Sequence, residues 1–173
     1  EIENHEEIVK LDGIDALITL LKAEDVHSGR YAAFALSNLA SNANHRFQIV
    51  EEGAIAPLVA LACCDDQNAQ RQALAALRGL AVSVENRPKI VKEGVLDPLV
   101  LMARSDNIEI QREVAAALCS LSSVEDNKVE IADRSISTII TLSLSGDEEV
   151  EKQAVCTIAN LVEMVELHDK ILE

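Results

Sequence analysis

The sequence predicts an all-α protein built as an array of stacked, three-helix repeat units. Three observations carry that reading: an aliphatic composition almost free of aromatics, few turn-forming residues, and apolar positions that recur at one fixed period. Hydrophobic residues make up 49 % of the 173-residue chain, enough for a sizeable core, whereas aromatic residues make up 2 % and tryptophan is absent. The core must therefore be assembled from Ala, Leu, Ile and Val. Six Gly and three Pro are too few for the many turns of a β-rich fold.

The period is 41 residues. Ile8, Ile49, Ile90 and Ile131 are 41 apart, as are Leu17, Leu58, Leu99 and Ile140. Leu36, Leu77, Leu118 and Ile158 follow at 41, 41 and 40, and Leu39, Leu80, Leu121 and Leu161 keep the same spacing. A unit of this length cannot bury its apolar face alone, whereas stacked units can, so the period implies a superhelical solenoid. The repeats run over 1–41, 42–82, 83–123 and 124–163, with a partial fifth over 164–173, and together read as a single solenoid fragment. The closing "VELHDKILE" matches the first helix of a fifth unit, and a start at Glu rather than Met is expected of a piece cut from a longer array.

Each unit has three parts. The first is "NHEEIVKLDG", "NHRFQIVEEG", "NRPKIVKEG" or "NKVEIADRS". Each opens on Asn, a good helix N-cap, and three end in Gly13, Gly53 and Gly94, suited to a left-handed residue just past a helix C-terminus. The second part is "IDALITLLKAE", "IAPLVALACC", "LDPLVLMARSD" or "ISTIITLSLSGD"; Pro57 and Pro98 fall in its first turn, where a missing N–H costs little. The third and longest helix contains "RYAAFALSNLA" (30–40), "RQALAALRGLA" (71–81), "REVAAALCSLS" (112–122) and "KQAVCTIANLV" (152–162). Its abundant Ala lets neighbouring helices approach closely.

A formal net charge of −15 argues against nonspecific binding to nucleic acid or to an anionic membrane. No apolar run reaches 18 residues, so no membrane insertion is expected. Cys63, Cys64, Cys119 and Cys156 lie in apolar helical stretches with no C-x-x-C spacing, and Cys63 and Cys64 are expected as buried small hydrophobes. Free thiols and the lack of an N-x-S/T sequon predict an intracellular, reducing compartment: the cytoplasm, or the nucleus or an organelle surface if segments outside this chain direct it there. His5, His27, His45 and His168 are scattered in polar segments without metal-ligand spacing. There is no phosphate loop, zinc-protease motif or nucleophile elbow, so neither catalysis, cofactor nor metal is expected.

The phrases "IVEEGAIAPLVAL" and "AAFALSNLAS" resemble the armadillo repeat, and the resemblance covers essentially the whole chain. The insertion-free units look most like vacuolar and "armadillo repeats only" scaffolds, with β-catenin and importin-α more distant. The resemblance implies a right-handed superhelix whose third helices line a concave groove for extended peptides. In importin-α-like members a Trp and an Asn, four residues apart on each third helix, make slots for Lys or Arg and hold the peptide backbone. Those positions correspond here to Phe34, Ala75, Ala116 and Cys156, and to Asn38, Gly79, Ser120 and Asn160. With no Trp and only two Asn, the pattern speaks against a receptor for basic import signals.

The same helix face carries a different signal. Four residues before the Trp position stand Arg30, Arg71, Arg112 and Lys152, and Arg78 lies beside Gly79. Residues i, i+4 and i+8 share one face of a helix. Helices pack about 8–10 Å apart and an extended peptide advances about 3.3 Å per residue, so a ligand acid every two or three residues would meet successive cations. Arg suits bidentate carboxylate or phosphate contact. The expected function is an interaction scaffold whose groove takes an acidic or phosphorylated segment through Arg30, Phe34, Asn38, Arg71, Arg78, Arg112, Ser120, Lys152 and Asn160. The competing readings are pairing of these cations with neighbouring Glu109, Glu113, Glu148 and Glu151, and a structural array module acting through its convex face or ends. Uncapped ends of such an array also make self-association plausible.

Overall fold

The computed structural model describes residues 2–164, with the side chains of residues 4–164. The fifth-repeat helix and His168 lie outside that range. No strand occurs among the described residues. The chain divides into two compact units between Asn86 and Arg87.

The first unit holds α1 (Ile2–Lys10), α2 (Gly13–Leu21), α3 (Val26–Leu39), α4 (Ala43–Glu51), α5 (Ile55–Ala62) and α6 (Gln67–Leu80), and ends in a 3-10 turn, Val84–Asn86. Here α3 packs along α6, with α2 against α3 and α5 against α6. The second unit holds α7 (Arg87–Lys92), α8 (Leu96–Met102), α9 (Ile108–Ser122), α10 (Glu125–Leu142) and α11 (Glu148–Val162). In it α9 packs along α11, and α10 packs against both.

The apolar period becomes the core. Ile49, Ile90, Ile131, Leu36, Leu77, Leu118, Leu58 and Leu99 are essentially fully buried. Pro57 and Pro98 sit in the first turns of α5 and α8, as expected. Gly53 and Gly94 take positive φ (84° and 88°), a conformation that costs Gly little.

Three local expectations are corrected. Gly13 does not take the left-handed position; Asp12 does, at φ 56°. Gly13 is needed for close approach instead, since a Cβ there would stand 2.6 Å from the carbonyl oxygen of Ile8. The repeated Asn is not the N-cap. Asn42 caps α4, its side chain accepting from the Asn44 N–H at 2.9 Å. Asn86 and Asn127 are buried and reach back six residues, donating to the carbonyls of Leu80 (3.1 Å) and Leu121 (3.0 Å). Those carbonyls lie in the last turns of α6 and α9, where intrahelical N–H donors run out, and the Asn amides add a donor from outside the helix.

The third correction concerns the fourth repeat. Its first two parts form one uninterrupted helix, α10. Ser135 stands 41 residues after Gly94 and cannot cheaply adopt positive φ, so the helix continues. Continuation rotates the buried face. Ile131, Ala132, Ser135, Thr138, Ile139 and Leu142 point inward at helical spacing. Ile139 thereby takes the core place expected of Ile140, which is 41 % exposed.

Candidate functional site

Each third helix starts from a side-chain cap. Asp25 accepts from the N–H groups of His27 and Ser28, Asp66 from Ala69, Asn107 from Glu109 and Asp147 from Val150. These caps are spaced by 41, 41 and 40, and each precedes by five residues the cation that marks its helix face. The caps fix where each third helix begins, and therefore which residues lie along one face.

The four cations stand in different surroundings. Arg30 on α3 is half-exposed, its guanidinium 4.9 Å from the ring centroid of Tyr31. Arg71 occupies the same position on α6 and is also half-exposed. Among the described residues neither has a carboxylate partner. Arg112 on α9 is engaged: its Nε and Nη2 donate to the two carboxylate oxygens of Asp147 at 3.2 and 2.7 Å, and Nη1 donates to Glu109 at 2.9 Å. That bidentate contact holds the Asp147 carboxyl below the usual carboxylate range and raises the Arg112 guanidinium. Lys152 on α11 is exposed.

Along α3 the face continues through Phe34, 50 % exposed, to exposed Asn38. Asn38 also lines a cavity of about 600 Å³ with Asn4, His5, Ile8, Ser37 and Ser41. On α6, Ala75 and Gly79 leave the face low, and half-exposed Arg78 lies in the last turn. On α9 the Ser120 hydroxyl donates to the Ala116 carbonyl at 3.0 Å. Asn160 donates across to α9, to the Cys119 carbonyl at 3.3 Å and the Ser122 hydroxyl at 3.0 Å. The structure thus brings Arg30, Phe34, Asn38 and Arg71 together on two packed, accessible helices, while Arg112, Ser120 and Asn160 make contacts internal to the second unit.

A second series of cations does structural duty and is not evident from the third helices alone. Arg46 Nε donates to Ser83 Oγ at 2.8 Å, and its Nη1 to the Ala40 carbonyl at 2.8 Å. Arg87 donates to Ser123, and Lys128, its side chain 7 % exposed, pairs with Glu163 at 2.6 Å. Arg46, Arg87 and Lys128 are 41 apart, so the signal was present in the spacing. Each ties a unit's first segment to the end of the following third helix. The cysteines also depart from expectation: Cys63 ends α5 exposed and Cys64 is half-buried.

No group of three or more His, Cys, Asp or Glu among the described residues is placed to hold a metal ion. No helix among them is long and apolar enough to cross a membrane.

Helical triplets with capped third helices define the class of helical-repeat scaffolds. The sequence profile of the Armadillo/beta-catenin-like repeat matches residues 42–82 and 83–123. A search of curated proteins found no match. Among solved structures, an engineered protein is 30 % identical, with a TM-score of 0.88 over 94 % of this chain and 68 % of its own. A designed armadillo repeat protein in complex with the peptide (KR)4 is 26 % identical, with a TM-score of 0.89 over 98 % of this chain and 73 % of its own. A computationally designed armadillo repeat protein for modular peptide recognition is 25 % identical, with a TM-score of 0.90 over 98 % and 73 %. The chain belongs to the armadillo-repeat family, and its fold is the all-α fold of that family.

Proposed function

We propose that this armadillo scaffold binds an extended peptide carrying acidic or phosphorylated residues, and that the third helices of the first unit supply the principal contacts. The carrying observation is the pair Arg30 and Arg71. They hold equivalent positions on the packed helices α3 and α6, and among the described residues neither is neutralised by a carboxylate. An Arg fork with unused donors favours a planar or tetrahedral oxyanion. Phe34 offers apolar area beside Arg30, and the Asn38 amide can hold a peptide backbone unit.

The test is fluorescence anisotropy with a labelled peptide of alternating Asp and Ser, with and without phosphorylation. Charge-assisted contacts are worth about 1.5–3 kcal/mol each, so Arg30→Glu and Arg71→Glu should each weaken binding about tenfold or more. Unchanged affinity in the folded double variant overturns the proposal. A second reading has its own support: one structural relative holds the basic peptide (KR)4, and this chain carries a net charge of −15. Tighter binding of a (KR)4 peptide than of the acidic one decides for that reading.

A further inference from the structure

Cys119 and Cys156 are the one cysteine pair that the repeat register brings together on third helices. They lie on α9 and α11, which pack side by side in the second unit. Asn160 fixes the alignment of the two helices by donating to the Cys119 carbonyl at 3.3 Å and to Ser122 Oγ at 3.0 Å. Cys156 lies one turn before Asn160 on α11, on the side that neighbours Cys119, and the two thiols are close enough to perturb each other. Cys156 is exposed and Cys119 is half-buried. Burial, and then the neighbouring Cys156, pushes the Cys119 thiol up to about 12, which makes Cys119 the less reactive of the two toward an oxidant from solution. The equivalent positions in the other third helices hold Ser37, Arg78 and Ala159, and Phe34, Ala75 and Ala116, so the pair is peculiar to this place.

We infer that Cys119 and Cys156 form an oxidation site: hydrogen peroxide converts the facing thiols into a reversible disulfide that staples α9 to α11. Exposure assigns the first step to Cys156. Its thiol gives up its proton to solvent, the thiolate attacks one peroxide oxygen and breaks the O–O bond, and the departing hydroxide takes a proton back from solvent and leaves as water. Cys156 is then a sulfenic acid. The Cys119 sulfur attacks the Cys156 sulfur, the S–O bond breaks, and hydroxide leaves with the Cys119 proton as a second water. The two thiols lose two electrons and two protons, and the peroxide is reduced to two waters. Proximity makes the second step intramolecular, and so independent of a second thiol in solution.

The experiment uses the full chain. After treatment with hydrogen peroxide and alkylation of the remaining thiols, the protein is digested with trypsin without reduction. The expected product is peptide 113–128 joined to peptide 153–170, with loss of two alkylatable thiols that dithiothreitol restores. The double variant Cys63→Ser, Cys64→Ser should give the same product, whereas Cys119→Ser should stop Cys156 at the sulfenic acid, trapped by dimedone. The inference is overturned if the first disulfide involves Cys63 or Cys64 or joins two chains. It is equally overturned if Cys156 in the unsubstituted protein passes to the sulfinic acid without linking to Cys119.

Discussion

At the scale of single residues, the repeat supplies its own controls. His45 stands 41 residues before Asn86 and 82 before Asn127. All three are buried, but the two Asn donate to the end of the preceding helix, whereas His45 Nδ1 has no partner among the described residues. A buried polar atom without a partner costs about 1–3 kcal/mol. His45→Asn should therefore raise stability by about 1 kcal/mol in urea unfolding, and Asn127→Ala should lower it by about 1–3 kcal/mol. Acid should act through the helix caps. The Ser28 hydroxyl holds Asp25, and the Arg112 fork holds Asp147, below the usual carboxylate range. A lowered folded-state pKa gives stability that is complete above the unfolded value of about 4 and is lost as pH falls through the lower folded value. Stability should thus be flat near neutrality and decline below about pH 4. Asp147→Asn should shrink that decline, and a profile unchanged by the substitution would remove Asp147 from this role. The candidate site was legible to the same depth. Period and helix geometry aligned Arg30, Arg71, Arg112 and Lys152. That Arg112 is occupied depends on Asp147, 35 residues on, whose cap position follows the period but whose contact with Arg112 follows only from the packing of α9 against α11.

At the scale of elements, the third helices and the aliphatic core followed directly from the apolar period, because each rung repeats one helical environment. The boundaries of the shorter helices were less legible, since they turn on one residue's φ. Gly53 and Gly94 break the chain at positive φ; Ser135 at the same register does not, and α10 runs on for 18 residues. The missing Gly was visible, but its effect on the buried face depends on counting helical rotation through the junction. Ser135 is fully buried and its hydroxyl has no partner among the described residues. Ser135→Ala removes that cost and improves helix propensity, so it should stabilise the protein by about 1 kcal/mol. Ser135→Gly restores the repeat's usual residue but puts Gly inside a continuous helix, at a cost of about 0.5–1 kcal/mol relative to Ala. Unfolding midpoints should therefore rank Ala above Gly. The reverse order would mean that α10 gains from being broken as the earlier repeats are.

At the scale of the molecule, 30 acidic residues against 15 basic ones set a negative field that opposes the ligand proposed for Arg30 and Arg71. The two effects separate by range. The net charge acts over distances that salt screens, about 10 Å at 0.1 M, whereas an Arg fork acts at hydrogen-bond distance and is screened less. Long-range charge governs the rate of encounter, and short-range contacts govern the lifetime of the complex. For an acidic peptide, repulsion slows encounter at low salt, so the association rate constant should rise several-fold between about 20 and 200 mM salt. The dissociation rate constant should rise over the same range, because the Arg contacts weaken. For a basic peptide such as (KR)4 the association rate constant should instead fall steeply with salt. Stopped-flow measurement of both peptides over one salt series therefore reads the global field apart from the local site. Arg30→Glu with Arg71→Glu supplies the decisive comparison: the two substitutions should speed dissociation of the acidic peptide much more than they slow its association. Equal effects on the two rates would mean that the arginines act only through net charge and make no contact with the ligand.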